Sequence, residues 1–154
     1  MKSLVLYDSW YRNTEKIAEA IADGIGSDVH VIKVSDDPLP LLADCELFVV
    51  GSPTHGGVAT PDLQELLASI NADDLEGIAV AAFDTRVTMK WLKVIGFAAK
   101  RIAKQLQSKD GTLIILPEGF YVHGKKGPLI DGELDRARAW GAKVARQVRE
   151  GVAV

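Results

Sequence analysis

The sequence predicts an α/β fold in which a doubly wound sheet of parallel strands is covered by helices on both faces. Short apolar runs alternate with longer amphipathic segments along all 154 residues. Three runs, at 4–7, 47–50 and 78–83, are almost wholly apolar, as is typical of parallel strands buried on both faces. Strands and helices that alternate in this way join through right-handed crossovers into one open sheet, so we expect a single domain over residues 1–154.

Five segments have the length and composition of strands. They are 3–7, 29–34, 46–51, 78–83 and 112–117. The short run FYVH, which follows the fifth segment, predicts an added strand or an extension of the sheet edge. The loop 124–128 would close this extension.

Four longer segments have helical patterns: 13–25, 60–70, 96–111 and 132–151. The second has the strongest start signal, because Thr60 can cap the helix and Pro61 suits its first position. The connection 35–45 is short and contains two prolines, so we expect no more than one or two turns of helix there.

Composition excludes several classes of function. The net charge of −3 argues against a nucleic-acid binder, which normally has a basic excess. The start of the chain lacks the features of a secretory signal, and no apolar stretch approaches the roughly 20 residues of a membrane span. A single cysteine, Cys45, excludes an internal disulfide and is expected to be a small buried residue. We expect a cytoplasmic protein with no nucleic-acid or membrane partner.

The fold class predicts where a ligand would bind. Open α/β sheets bind ligands beyond the carboxyl ends of their strands, where the strand order reverses. The loops at that edge follow strands one, three, four and five. They are 8–14, 51–60, 84–95 and 117–128.

The first of these loops, SWYRNT, runs into a helix. Ser9, Asn13 and Thr14 offer polar side chains beside amides at the positive end of the helix dipole, which is an anion site. The alternative is plain capping of the helix by Asn13 or Thr14, with no ligand.

The second loop, GSPTHGGVATP, is longer than a simple connection requires. It contains Pro53, Thr54 and His55 followed by Gly56 and Gly57. Paired glycines allow positive φ or a close approach of the backbone to a flat ligand. We interpret this loop as part of a binding site.

The third loop begins with Asp84, Thr85 and Arg86, directly after an apolar strand. Polar groups in that position are suited to hold a ligand. The alternative is a surface ion pair between Arg86 and Asp84.

Taken together, these loops resemble the flavodoxin family of FMN-binding electron carriers. SWYRNT occupies the frame of the family's phosphate loop, and VVGSPTHGG resembles the loop that flanks the isoalloxazine ring. The similarity continues through AAFDTR, AAKRIAKQL and the final helix, so it covers nearly the whole chain. It implies the strand order 2-1-3-4-5, a phosphate at Ser9–Thr14, and a flavin ring between the second and third loops.

Two features, at three positions, depart from the family pattern. Tyr11 and Arg12 replace its threonine and glycine, so Arg12 would take a positive φ and either pair with the phosphate or accompany a differently folded loop. His55 occupies the second loop where a stacking aromatic residue is usual, and Trp10 is the nearest alternative. We include both Trp10 and His55 in the predicted cofactor site.

The resemblance implies an electron carrier that works with a reductase and an acceptor protein, as a monomer or weak dimer. Two alternatives stay open: a small FMN-dependent NAD(P)H or quinone oxidoreductase, and a binding module that has lost FMN. Lysines near the site, including Lys125 and Lys126, suggest that the partner is acidic.

Overall fold

A computed structural model describes residues 1–88 and 97–154 of the chain. Its strands form one sheet in which the strand order is β2-β1-β3-β4-β5, with β6 also paired to β4, and every strand pairing is parallel. The predicted order 2-1-3-4-5 is therefore confirmed. The strands are β1 (Ser3–Tyr7), β2 (Val29–Lys33), β3 (Leu47–Pro53), β4 (Ala79–Val87), β5 (Thr112–Leu113) and β6 (Glu118–Val122).

The described helices are α1 (Asn13–Ile25), α2 (Leu39–Leu42), α3 (Pro61–Ser69), α4 (Ala98–Ser108) and α5 (Glu133–Glu150). Thr60 caps α3 as predicted, since its hydroxyl accepts a hydrogen bond from the Leu63 amide. The connection before β3 contains only a 3₁₀ turn at Val34–Asp36 and the single turn α2, also as predicted. The start of the predicted helix 96–111 lies outside the described residues. None of the helices in the described ranges is long and apolar enough to cross a bilayer.

Alternation along the central strands sends side chains to both faces of the sheet. Leu6, Val50 and Ala82 belong to a core with α3 and α4, whereas Val5, Val49 and Ala81 belong to a second core with α1 and α5. Both sets are buried. The helices therefore cover both faces, as the apolar runs predict.

The predicted ends of β3 and β4 were wrong, because both strands continue further toward the carboxyl edge. In the observed register Ser52 lies opposite Asp84, and Pro53 lies opposite Thr85. On the other side of β4, β6 pairs with residues 83–87. Because β3 and β6 pair with β4 on its two sides, this polar stretch stays in the strand conformation. Asp84, Thr85 and Arg86 therefore lie within β4 and not in a loop.

The predicted fifth strand, 112–117, is also corrected. Only Thr112–Leu113 pairs with β4 there, and the chain then leaves the ladder, with Leu116 68% exposed. It returns as β6, which pairs with the later part of β4. The two short strands thus occupy one position in the sheet. The predicted extension of the edge at FYVH is confirmed as part of β6.

Helices α1 and α5 approach each other closely at two glycines. A Cβ at Gly24 would overlap the carbonyl oxygen of Arg138, and a Cβ at Gly141 would overlap that of Ile21. Backbone atoms cannot move aside as a flexible side chain can. The absence of a side chain at these positions therefore sets how near the two helices lie.

We expect Gly141→Ala to lower the free energy of unfolding by about 1–3 kcal/mol, because the added methyl forces the helices apart. Urea unfolding measures the change. Gly124→Ala is the matched control, since a Cβ at Gly124 has nothing within 4 Å. A Gly141→Ala protein more stable by about 1 kcal/mol, as helix propensity alone predicts, would contradict this account of the packing.

Candidate functional site

A cavity of about 260 Å³ opens at the carboxyl edge of the sheet, where the strand order reverses. All of the predicted site residues line it except Arg12 and Asp84. Val87, Val122 and Lys125 also line it, although they were not among the predicted site residues. The lining residues are Ser9, Trp10, Tyr11, Asn13, Thr14, Pro53, Thr54, His55, Gly56, Gly57, Thr85, Arg86, Val87, Val122 and Lys125.

The missed residues have a common origin. Val122 ends β6 and Lys125 lies in the loop that follows it, so both depend on β6 continuing the fifth strand position. Val87 reaches the site because β4 is longer than predicted. Residues 89–95 of the predicted third loop lie outside the described residues.

Arg12 adopts the left-handed conformation expected of a glycine, with φ 67° and ψ 0°. Its side chain is 82% exposed and lies outside the cavity, where its Nε donates to Glu15 Oε2 at 3.0 Å. Glu15 Oε1 in turn accepts from the Tyr7 hydroxyl at 3.0 Å. The bonds from Arg12 and Tyr7 lower the pKa of Glu15, while burial, more than the bond to Glu15, raises that of Tyr7 to about 12. This chain of bonds holds the first loop without a glycine.

The start of α1 has the properties of an anion site. Arg12 occupies the capping position but makes no side-chain cap, so the first amides of the helix receive no side-chain acceptor there. Ser9 Oγ is buried and has no hydrogen-bond partner. The buried Thr14 hydroxyl is fixed by a 2.8 Å hydrogen bond to the Thr85 hydroxyl. An uncapped helix terminus and an unpartnered hydroxyl therefore line the same cavity.

The second loop folds back as a tight hairpin. His55 and Val58 exchange backbone hydrogen bonds of 2.9 and 3.1 Å. Between them Gly56 has φ 56° and Gly57 has φ 82°, the positive angles that a two-residue turn of this kind requires. The turn places both glycines in the cavity wall.

The aromatic side chains of the first two loops meet at the cavity. The Trp10 and His55 rings have centroids 4.1 Å apart and are tilted by 31°. His55 Nε2 is buried without a hydrogen-bond partner. Burial, and after it the charge of Lys125, lowers the pKa of His55. The imidazole is thus held neutral at physiological pH beside an aromatic face.

Asp84 and Arg86 form a buried ion pair at the cavity wall, to which Arg86 contributes. Two hydrogen bonds of 2.7 Å join the guanidinium to the Asp84 carboxylate, which has no exposed surface. Asp84 also accepts from the Ala99 amide at 2.9 Å, and so holds the start of α4. Burial raises the pKa of Asp84, and the bonds from Arg86, Ala99 and Thr54 oppose that shift. The alternative of an ion pair between Arg86 and Asp84 was correct, but its predicted location was wrong, because the pair is buried and does not lie at the surface.

Arg86 is also fixed on its flat faces. Its guanidinium carbon lies 3.6 Å from the centroid of the Phe97 ring. On the β6 side it packs against Gly119, where a Cβ would overlap the guanidinium. The charge of Arg86 is therefore immobile and largely offset by Asp84.

A second buried carboxylate supports the first two loops. Asp8 Oδ1 accepts from the Ser9 amide at 2.8 Å, and Asp8 Oδ2 accepts from the Thr60 hydroxyl at 2.5 Å. The Thr60 amide donates to Ser52 Oγ at 3.0 Å. These bonds connect the ends of β1 and β3 with the start of α3. In residues 1–88 and 97–154 no group of three or more His, Cys, Asp or Glu could hold a metal ion.

Comparisons with known proteins agree with this geometry. The flavodoxin family model matches residues 5–140. A flavodoxin from the domain Archaea has a TM-score of 0.78 at 28% identity, covering 97% of this chain and 99% of that one.

Two curated proteins are related in sequence. An uncharacterized protein of Methanocaldococcus jannaschii is 29% identical over 118 residues, or 70% of this chain and 28% of that protein. The nitric oxide reductase of Moorella thermoacetica is 33% identical over 84 residues, or 50% of this chain and 20% of that protein. The chain thus matches less than a third of the length of either curated relative.

We expect Asp84→Asn to lower the free energy of unfolding by about 3 kcal/mol, because it leaves the Arg86 charge mostly buried and unpaired. Denaturant unfolding gives the value. Asp135→Asn is the matched control: it breaks a 3.0 Å pair with Arg138 in which the aspartate is 89% exposed, and should leave stability almost unchanged. Equal effects of the two substitutions would show that the Asp84 pair does not hold the edge together.

Proposed function

The chain belongs to the flavodoxin family, and from that premise we propose that it binds FMN in this cavity and transfers electrons between redox partner proteins. The observation that supports this most directly is the position of two buried polar atoms. Ser9 Oγ and His55 Nε2 have no hydrogen-bond partner, and both residues line the cavity. An unpartnered buried polar group costs about 1–3 kcal/mol, so both positions favour a ligand with polar groups of its own.

The first loop supplies what a phosphate requires. The uncapped amides of α1 and the Ser9 hydroxyl would donate hydrogen bonds to phosphate oxygens, and the helix dipole favours the negative charge. Asn13 and Thr14 complete this part of the lining. Arg12 takes no part, because its side chain pairs with Glu15 outside the cavity.

The second loop and β4 supply what a flat ring requires. Trp10 and His55 offer aromatic faces, and the positive φ angles of Gly56 and Gly57 bring backbone groups to the wall. Val87 and Val122 add apolar surface to the lining. When bound, FMN supplies the redox chemistry, and the chain's residues hold it, exclude water and set the charge around it.

The two other hypotheses predict different results. Loss of the cofactor would be favoured if Tyr11 and Arg12 filled the site, but Arg12 lies outside the cavity and Tyr11 forms part of its wall. An oxidoreductase would consume NADH or NADPH steadily when a quinone is present. A carrier would not do so without a reductase.

We expect Ser9→Ala to weaken FMN binding by about 10- to 150-fold, because a hydrogen bond to a charged group is worth roughly 1.5–3 kcal/mol. Quenching of flavin fluorescence measures the affinity. Riboflavin, which lacks the phosphate, should bind the variant and the parent equally.

The control is Ser27→Ala, which changes an exposed serine after the other end of α1. Failure of the parent protein to bind FMN at all would overturn the proposed function. An equal loss of FMN and riboflavin affinity in Ser9→Ala would place Ser9 near the ring instead of the phosphate.

The partner surface around the mouth of the cavity is basic. Lys125 and Lys126 are exposed there, and the Lys126 ammonium lies 6.0 Å from the centroid of the Tyr11 ring. The paired Arg12 and Glu15 contribute no net charge nearby. We propose that the redox partner presents an acidic surface, because unlike charges accelerate association.

Small charged oxidants test this charge directly. Oxidation of the FMN-loaded, reduced protein by anionic hexacyanoferrate(III) should slow as salt is added, while oxidation by a cationic hexaammine complex should accelerate. Lys126→Gln should reduce both dependences, and Lys143→Gln, on an exposed position of α5, should not. Oxidation rates that do not change with ionic strength would show that the mouth of the cavity is not basic.

A further inference from the structure

We propose that Lys125 raises the reduction potential of the bound FMN, by placing a positive charge in the cavity wall that favours the reduced form. This inference rests on the proposed function and adds to it a residue that sets the driving force for electron transfer.

The described part of the cavity wall contains cations but no carboxylates. Arg86 and Lys125 are among the lining residues, and none of the described lining residues is Asp or Glu. Residues 89–96, which lie outside the described part of the chain, have the sequence MKWLKVIG and so cannot add an acidic side chain. The fixed charge of the wall is therefore positive, although the chain as a whole has a net charge of −3.

The two lining cations differ in how they are paired. Arg86 is bound by both oxygens of Asp84, so the pair has little net charge. Within the described residues Lys125 forms no ion pair with a carboxylate. Among the described residues that line the cavity, Lys125 therefore carries the unbalanced charge.

The positive charge of Lys125 acts on the interior of the site more strongly than the charge of Lys126. After burial, the charge of Lys125 is what lowers the pKa of His55, whose ring faces Trp10. Lys126 lies instead toward the Tyr11 ring and is not part of the cavity lining. Substituting Lys125 and Lys126 one at a time removes the same charge from two adjacent positions. The comparison therefore tests whether the position of the charge matters.

Reduction makes the bound group more negative. Two electrons from a donor, with one proton from solvent, would leave bound FMN with one additional negative charge. A cation in the wall would then bind the reduced form more tightly than the oxidised form, and the potential would rise in proportion to the logarithm of the ratio of the two affinities. Because Lys125 is exposed, its effect should weaken as salt is added.

The experiment measures the two-electron midpoint potential of the FMN-loaded protein during titration with dithionite. Lys125→Gln should lower the ratio of reduced-form to oxidised-form affinity by about three- to tenfold, as expected for a screened charge at the wall. A tenfold change corresponds to about 30 mV for a two-electron couple. Lys125→Arg should keep the parent potential, and Lys126→Gln should shift it much less than Lys125→Gln.

A second measurement needs no cofactor. The pKa of His55, followed by NMR in the FMN-free protein, should rise toward its usual value of 6.5 in Lys125→Gln and not in Lys126→Gln. The sign follows because removing a nearby cation makes protonation of the imidazole easier.

The outcomes separate the two proposals. If FMN binds but Lys125→Gln leaves the potential unchanged, or Lys126→Gln shifts it equally, the role of Lys125 is overturned and the proposed function stands. If Lys125→Gln leaves the pKa of His55 unchanged, the charge of Lys125 does not act on the site. The inference is then overturned by a measurement that does not involve FMN. If FMN does not bind, both fall together.

Discussion

The site depends on one buried ion pair, between Asp84 and Arg86. The carboxylate lies in β4 with no exposed surface, accepts two hydrogen bonds from the guanidinium and accepts one from the Ala99 amide in the first turn of α4. A charged pair in this position must be fully hydrogen-bonded, since a buried charge without a partner is strongly unfavourable. Strand, helix and cavity wall are therefore fixed relative to each other by a single group of bonds.

The same pair explains the electrostatic character of the cavity. Asp84 directly precedes two lining residues in sequence, yet it does not line the cavity itself and is bound to Arg86 and Ala99. The remaining wall is cationic, while the carboxylates of the first loop, Asp8 and Glu15, are engaged with Thr60 and with Arg12. Pairing, more than composition, determines which charges a ligand meets.

The first loop shows how a missing glycine is replaced. Arg12 occupies the left-handed conformation at a cost of about 1 kcal/mol relative to glycine. Its bond to Glu15, which Tyr7 also binds, ties it to the first turn of α1 and keeps its side chain out of the cavity. Asn13 and Thr14, at the start of α1, thus line the cavity although the loop contains no glycine.

The sequence by itself determined the central strands, the helices and most of the lining residues, because apolar periodicity, Thr60–Pro61 and the loop glycines act locally. The strand order was implied by the resemblance to the flavodoxin family. Only the tertiary structure decided the rest. Asp84 lies inside a strand beside Arg86 because β6 pairs with β4 and prolongs it. The paired segments are about 35 residues apart in the sequence. Lys125 reached the site for the same reason, and Arg12 left it because Glu15 lies one helical turn away. Hydrophobic periodicity indicates which residues form strands, but it does not indicate which polar group pairs with each buried charge.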